Sequence, residues 1–255
     1  MSLGMHYRIS HSSHFITNVL SDARRGELVL PQFQRPFCWD PADVLALLDS
    51  ALRGFPLGTL LLWGDWWGGG ISVANCRSFL GCAPPQKSAT LVLDGQQRIQ
   101  ALLLASASDS PYIWNADTGE FAQGQPDPPS GVFPAAWLFD FPHGKEQTAA
   151  WALGEPAIKE VVEVARQVPY GKQGKTRTLV EKKPIYHERT PAQELAHQRF
   201  EALCTACTAM RDLRLGSVIL PRDAGIDFAR ETFRRMNTAG KPFTEADVFA
   251  ALGAP

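Results

Sequence analysis

The chain has 255 residues, of which 45% are hydrophobic and 20% charged, with 25 Lys and Arg against 26 Asp and Glu. This composition suits a folded chain with a sizeable core and excludes an intrinsically disordered one. The net charge of −1 argues against nonselective coating of nucleic acid, although it leaves room for a local basic groove. The sequence contains no apolar run of about 18 residues that would span a membrane, and we expect no secretory leader.

The cysteines indicate a reduced, cytoplasmic protein, because they are odd in number and scattered: Cys38, Cys76, Cys82, Cys204 and Cys207. Cys204 and Cys207 have the spacing of a redox pair but lie in a stretch with helical periodicity, so we interpret them as ordinary thiols. The six histidines form no HExxH or similar pair. The sequence therefore predicts no dedicated metal site of that kind.

In chain order, the N-terminal half is predicted to alternate helices with short strands. Residues 1–27 are predicted to be a tail followed by a helix that Gly26 ends. The helix after Asp40 has the clearest signal, since Asp is a good N-cap and Pro41 suits the first helical position. The predicted elements after residue 27 are a strand at 28–30, a helix from Asp40 to Gly54, a buried strand at 59–63, a loop at 64–88, a strand at 90–93, a helix at 96–106 and a hairpin at 112–121.

The remainder is predicted to be richer in helix. Its elements are a Pro-rich loop at 124–136, a helix from 155, a basic loop at 172–189, a long helix from Thr190 to about Leu215, a strand at 218–220, a helix capped by Asp227 and a last helix opened by Thr244 and Asp247. The last helix barely ends before Pro255, which indicates a domain cut from a longer protein, with a natural end as the alternative. We predict an α/β (α+β) body formed by both ends of the chain.

The strongest local feature is the DGQQR motif at residues 94–98, where a predicted strand ends and a helix begins. The first N–H groups of a helix lack intrahelical acceptors and commonly bind an anion. Arg98 would add a guanidinium with the geometry that phosphate prefers. Asp94 is a candidate Mg²⁺ ligand, and Gln97 is a candidate for orienting an attacking water. The structural alternative, with about equal weight, is that Asp94 caps the helix, Arg98 pairs with a carboxylate and the glutamines are solvated.

Two further clusters carry polar residues that a ligand would use. Gln34 and Arg35 lie among the aromatic residues of segment 32–39. Either both side chains contact a nucleotide, or the aromatic residues pack in the core and Arg35 lies over an aromatic face. Asn237 and Gly240 follow a predicted helix, where an asparagine is also an ordinary turn residue. Taken locally, both clusters favour the structural interpretation, as does the basic loop.

Together, four motifs resemble the N-terminal domain of GmrSD-type, modification-dependent (type IV) restriction proteins, which belongs to the ParB/sulfiredoxin-like superfamily. The motifs are QFQRPFCW at 32–39, LDSALRGFPLG at 48–58, VLDGQQR at 92–98 and FRRMNTAGKPF at 233–243. The resemblance covers about residues 12–252, and the order of the motifs makes it specific. The sequence departs from the family at Phe37, commonly Tyr, and at Phe243, commonly aliphatic, and both residues keep the apolar character.

The resemblance implies a ParB/sulfiredoxin-like mixed small sheet with surrounding helices. It implies a single domain at 1–255, with a core at about 12–106 and 216–252 and a hairpin and helix-rich insertion at about 107–215. The implied nucleotide site comprises Asp94, Gly95, Gln96, Gln97 and Arg98, with Gln34 and Arg35 in the first nucleotide-contacting box and Asn237 and Gly240 in the third. Sulfiredoxins carry a reactive cysteine where this sequence has Gln96, which argues against thiol chemistry.

The first function that the resemblance implies is Mg²⁺-dependent binding and hydrolysis of an NTP within a phage-defence restriction protein. Arg98 and Arg35 would contact phosphates, and Asp94 would hold the metal or a water. A nuclease domain normally follows in this family, so we do not expect this chain to cut DNA by itself. One alternative is a non-catalytic module that binds a nucleotide or modified DNA and controls a partner nuclease. Another is a purely structural subunit that docks the nuclease.

Overall fold

The computed structural model describes residues 7–32, 34–64, 71–72, 76–140 and 191–238. The helices predicted from residue 155 and near the C-terminus, the basic loop and Gly240 lie outside these residues. Within them the chain forms a seven-stranded mixed sheet and a separate three-stranded antiparallel sheet, together with helices. The α+β class predicted from the sequence is confirmed.

The elements have the following bounds. The strands are β1 (Ser10–Phe15), β2 (Leu28–Pro31), β3 (Thr59–Trp63), β4 (Ile71–Ser72), β5 (Cys76–Arg77), β6 (Ser88–Asp94), β7 (Tyr112–Asn115), β8 (Phe121–Gln123), β9 (Val132–Pro134) and β10 (Arg214–Leu220). The helices are α1 (Ile16–Arg24), α2 (Pro41–Leu52), α3 (Gln96–Ala105), α4 (Ala136–Phe139), α5 (Pro191–Asp212) and α6 (Ile226–Thr238). Among these helices, none has the length and apolar character that crossing a bilayer requires.

The large sheet has the strand order β1-β10-β3-β6-β2-β5, with β4 also beside β6. The pairs β10–β3 and β2–β6 are parallel, and the other pairs are antiparallel. Leu28 aligns with Thr90 and Val29 with Leu91 in the β2–β6 pair. Because parallel neighbours end at the same edge of a sheet, the chain that follows β2 leaves the sheet beside Asp94 at the end of β6.

Both faces of the central strands are buried, as the continuous apolar run in β3 predicted. Successive side chains of a strand point to opposite faces. Leu60 and Leu62 accordingly join the large core that α1, α2, α3 and α5 cover. Leu61 and Trp63 join a smaller core on the other face, together with Ala229 of α6. The central strands are therefore covered by four helices on one face and by α6 on the other. In the described part of the chain, the ends of the strands are left uncovered by these two cores.

The clearest sequence signal, the start of α2, is confirmed in detail. Asp40 is the N-cap and accepts a hydrogen bond from the backbone N–H of Asp43. The Asp43 carboxylate accepts one from the N–H of Asp40 in return, which completes a reciprocal capping box. This cap begins α2 immediately after segment 34–39 and so fixes where that segment ends.

Several predictions about elements are wrong. The stretch 64–88, predicted as a loop, contains the short strands β4 and β5. Residues 10–15, predicted as a tail, form β1, whose side chains are mostly exposed at the edge of the sheet beside β10. The Pro-rich stretch 124–136 is not all loop, because β9 pairs with β7 there and completes the small sheet. Asp227 is not the cap of α6, since that helix already begins at Ile226, and Asp227 lies in its first turn.

The small sheet β8-β7-β9 lies within the stretch 107–215 that was predicted as an insertion. It shares the large core through Trp114 and Phe133. Arg199 of α5 fastens its loops, because the guanidinium donates to both carboxylate oxygens of Asp117, at 2.8 and 2.6 Å, and to the carbonyl of Pro129 at 2.9 Å. The division of the chain into core and insertion stays a prediction.

Candidate functional site

A cleft of about 390 Å³ lies at the end of β6. This volume is within the range of small-molecule sites. The residues that line it are Gln34, Arg35, Trp39, Asp94, Gly95, Gln96, Gln97, Arg98 and Phe233. The cleft therefore brings together the DGQQR motif and the Gln34–Arg35 cluster, which lie about 60 residues apart in the sequence.

The turn between β6 and α3 forms the floor of the cleft and requires glycine. Gly95 is the N-cap of α3 and has φ +94°, a left-handed conformation that other residues adopt only with strain. A Cβ atom there would lie 2.4 Å from Leu60 Cδ2. Because the cap residue is Gly95 rather than Asp94, the structural alternative in which Asp94 is the cap is wrong. Since Gly95 has no side chain, the N-cap residue accepts no side-chain hydrogen bond from the first N–H groups of α3.

Arg98 lines the cleft, but its guanidinium is already engaged by the protein. Its Nη2 donates to the carbonyl of Thr59 at 2.9 Å, and its Nη1 donates to the carbonyl of Leu57. Nη2 also lies 3.5 Å from Asp94 Oδ2. Burial lowers the pKa of Arg98, and the Asp94 carboxylate opposes this shift. The predicted pairing with a carboxylate is confirmed, and two backbone acceptors are added to it.

The side-chain amides of the three glutamines at the cleft form hydrogen bonds with backbone atoms of other segments. The Gln97 amide is bonded at both ends, since Oε1 accepts from the N–H of Cys38 at 2.9 Å and Nε2 donates to the carbonyl of Pro36 at 3.1 Å. Gln96 Nε2 donates to the carbonyl of Arg35 at 3.0 Å, and Gln34 Nε2 donates to the carbonyl of Leu93. The alternative of solvated glutamines is thus wrong for Gln96 and Gln97, which are buried. The water-orienting role of Gln97 stays a prediction.

Arg35 is the cation in the cleft that has most freedom to meet a ligand. Its side chain is exposed, and no carboxylate among the described residues pairs with its guanidinium. Asp94 provides the carboxylate of the cleft, with 40% of its side chain exposed. A cation, a carboxylate and a helix N-terminus therefore line one cleft, and the cation and the helix N-terminus are groups that bind anions.

The third predicted cluster is described only in part. Asn237 belongs to the last turn of α6, which runs to Thr238, so this residue is helical rather than in a turn. Gly240 lies outside the described residues. The same helix nevertheless reaches the cleft through Phe233, which brings the first residue of the FRRMNTAGKPF motif next to the DGQQR motif.

A magnesium ion would fit this cleft only if a bound phosphate ligand and water supplied most of its coordinating oxygen atoms. Asp94 is the sole carboxylate among the lining residues, and the described part of the chain contains no group of three or more His, Cys, Asp or Glu that could hold a metal ion. Mg²⁺ commonly takes one or two protein carboxylates and completes its shell with phosphates and water. Asp94 suits that mode and not a preformed protein cage.

Sequence reasoning assigned no site role to Trp39, Phe233 or Arg77. Trp39 and Phe233 line the cleft, although their apolar character indicated only core packing. Arg77 donates from its Nη2 to the carbonyls of Gln34 and Arg35, at 3.2 and 3.0 Å. No local signal could have identified it, because Arg77 lies in a stretch that the sequence predicted as loop.

Comparison with known protein families shows that residues 16–253 match the GmrSD restriction endonuclease, N-terminal domain. The chain belongs to this family. Every residue that lines the cleft is inside the matched region. The chain is also similar to an uncharacterized protein of Methanocaldococcus jannaschii, 29% identical over 136 residues, which is 47% of this chain and 23% of the relative. The chain thus spans less than a quarter of that relative's length.

Proposed function

We propose that the cleft binds a nucleoside triphosphate with Mg²⁺ and hydrolyses it, as the nucleotide module of a cytoplasmic, modification-dependent restriction protein. One observation carries this proposal: Arg35, Arg98, Asp94 and the N-terminus of α3 face the same 390 Å³ cleft. Phosphate is the ligand class that satisfies guanidinium groups and free helical N–H groups together. A ParB-like origin of the site is part of the same proposal.

Each of these residues of the cleft would have a separate role in binding the nucleotide and the metal ion. Arg35, whose side chain is exposed, would bind phosphate oxygens. The N–H groups of the first turn of α3 would bind further phosphate oxygens. Asp94 would hold Mg²⁺, which supplies charge neutralisation of the phosphates when bound. Arg98, 3.5 Å from Asp94, would hold that carboxylate in place. Gln96 and Gln97 would keep the facing backbone at a fixed distance.

The wider protein would join this module to a nuclease domain and to modified DNA. The formal charge of −1 gives the chain no general attraction to DNA, so we assign the main DNA contact to the full-length protein. Nucleotide turnover would then control when the nuclease acts. This assignment rests on family membership and on the proposed site together.

The test is a panel of NTPs with purified protein, with and without Mg²⁺. A ligand that binds only the folded state at a hundredfold excess over Kd adds about 2.7 kcal/mol of stability, or roughly 5–10 °C in Tm for a chain of this size. We expect that shift for at least one NTP, with release of phosphate when Mg²⁺ is present. Arg35→Ala should reduce this shift markedly, whereas Arg53→Ala, which removes an arginine paired with Asp49 on α2, should leave it unchanged. Equal behaviour of both variants would contradict the proposal.

A second candidate function is binding without turnover, in which the nucleotide acts as a switch for a partner nuclease. It is favoured by the engagement of Gln97 and Arg98 with backbone atoms, which leaves few side chains to act on a reacting phosphate. The same panel separates the two candidates, because binding without turnover gives the Tm shift and no phosphate release with any NTP.

A further inference from the structure

Segment 34–39 carries Arg35 to the cleft without the support of a helix or strand. An irregular segment keeps one conformation when the rest of the chain holds it, since every fixed residue costs conformational entropy. Phe37 and Trp39 pack against the large core, and the backbone at Arg35 itself is held by the groups that bind its carbonyl.

Two elements bind the segment from opposite sides. From α3, Gln96 binds the carbonyl of Arg35 at 3.0 Å, and Gln97 binds the carbonyl of Pro36 and the N–H of Cys38. From β5, Arg77 Nη2 donates to the carbonyl of Arg35 at 3.0 Å and to that of Gln34 at 3.2 Å. The carbonyl of Arg35 thus accepts from both sides, and its conformation is fixed by a charged donor and a neutral one.

Arg77 is well placed to hold this segment and poorly placed to touch a ligand. It lies opposite Leu30 in the β2–β5 pair, close to where the chain leaves β2. It is not among the described residues that line the cleft. A hydrogen bond from a charged donor contributes more than a neutral one, so Arg77 is expected to be a main restraint on the Arg35 backbone.

We propose that Arg77 is a positioning residue for nucleotide binding, which acts by fixing the Gln34 and Arg35 carbonyls so that the Arg35 side chain points into the cleft. This inference rests on the proposed function and deepens it. A charge-assisted hydrogen bond to a ligand contributes roughly ten- to a hundredfold in Kd, so displacement of the Arg35 side chain by the loss of Arg77 should weaken nucleotide binding although Arg77 itself touches no ligand.

The test compares Arg77→Ala with Arg24→Ala by calorimetric titration of the NTP found in the panel, with Mg²⁺. Arg24 is a matched control, because its Nη2 also donates to a backbone carbonyl, that of Ser106 at 3.2 Å, and it does not line the cleft. We expect Kd to rise about ten- to a hundredfold for Arg77→Ala and to stay at the wild-type value for Arg24→Ala. Equal Kd values for the two variants would overturn the proposal.

A double-mutant cycle with Arg35→Ala separates positioning from general loss of structure. If Arg77 acts through Arg35, adding Arg77→Ala to Arg35→Ala should raise Kd by less than about threefold, because the positioned group is already gone. If the two effects multiply instead, Arg77 acts independently of Arg35 and the proposal fails.

Arg77→Lys is a second variant that tests the same role of Arg77, and it replaces Arg77→Ala if the alanine variant does not fold. Lysine keeps the charge but lacks the planar fork that reaches two carbonyls, so we expect a Kd between those of wild type and Arg77→Ala, against an unchanged Kd for Arg24→Lys. Full recovery by lysine would show that charge suffices and would overturn the proposal. Absence of NTP binding by the wild type would instead remove the proposed function, and this inference with it.

Discussion

Arg98 Nη1 lies 2.6 Å from the position that a Cβ atom of residue 58 would occupy, so Gly58 and Arg98 fill one space between them. The carbonyls on either side of Gly58, those of Leu57 and Thr59, are also the ones that bind the Arg98 guanidinium. The loop before β3 therefore wraps the arginine of the DGQQR motif, and the absence of a side chain at residue 58 makes this possible.

Gly58→Ala should cost more stability than Gly54→Ala. Both glycines have positive φ, +78° and +75°, but a Cβ at residue 54 meets nothing within 4 Å. Each variant loses about 1–2 kcal/mol of stability to the left-handed conformation. Gly58→Ala also displaces the half-buried, hydrogen-bonded guanidinium of Arg98, for roughly 1–3 kcal/mol more. Urea denaturation measures the difference. Equal losses in the two variants would show that Arg98 is not held by this loop.

Gln97→Ala should lower both stability and nucleotide affinity, whereas Gln100→Ala should lower stability alone. Gln100 lies on the same helix and bonds the backbone of Leu80 in the same two-ended way, with the N–H at 2.8 Å and the carbonyl at 3.4 Å. Each substitution removes two hydrogen bonds between a glutamine side chain and backbone atoms, for about 1–3 kcal/mol in total. Denaturation and NTP titration are the measurements. A fall in kcat with unchanged Kd in Gln97→Ala would support the water-orienting role instead.

Asp94→Asn should abolish the effect of Mg²⁺ on nucleotide binding and hydrolysis. Without Mg²⁺ the variant should bind the NTP at least as tightly as the wild type, because a negative charge near the phosphates is removed. The matched control is Asp49→Asn, since Asp49 also pairs with an arginine four residues on and is 40% exposed, as Asp94 is. Both variants should lose about 0–1 kcal/mol of stability. A Mg²⁺ effect that persists in Asp94→Asn would place the metal elsewhere.

The buried pair of His14 and Ser217 should make stability depend on pH. His14 Nε2 lies 3.0 Å from Ser217 Oγ, and burial lowers the pKa of His14, which Asp22 opposes. Because the folded pKa is below the unfolded value of about 6.5, the unfolded chain takes up the proton first. Stability is therefore complete above about pH 6.5 and decreases as the pH falls through that value towards the folded pKa.

Urea midpoints between about pH 7.5 and 5.5 test this dependence. We expect the decrease in wild type to be reduced in His14→Gln and unchanged in His11→Gln, a control on the same strand whose side chain is exposed. A decrease of the same size in both variants would assign it to other groups.

Local signals predicted many of the helices and strands but not which strands pair with which. The Asp40 cap, the Gly26 stop and the apolar run of β3 were all identified, because caps and periodicity depend on neighbours within a few residues. The strand β1 was missed, since its sequence SHSSHF is polar and its pairing with β10 joins Ser12 to Ser217. Nothing local distinguishes such an edge strand from a tail.

The candidate site divides in the same way. The DGQQR motif, as a strand, a glycine turn and a helix start, was determined by the sequence alone, since those preferences are short-range. Only the tertiary structure decided that Arg98 binds the loop around Gly58, that Gln97 binds the backbone near Pro36, and that Arg77 holds Arg35. These bonds join residues about 40 to 60 positions apart, and which carbonyl an arginine or glutamine reaches depends on how parallel pairing of β2 with β6 brings distant backbone to one edge of the sheet.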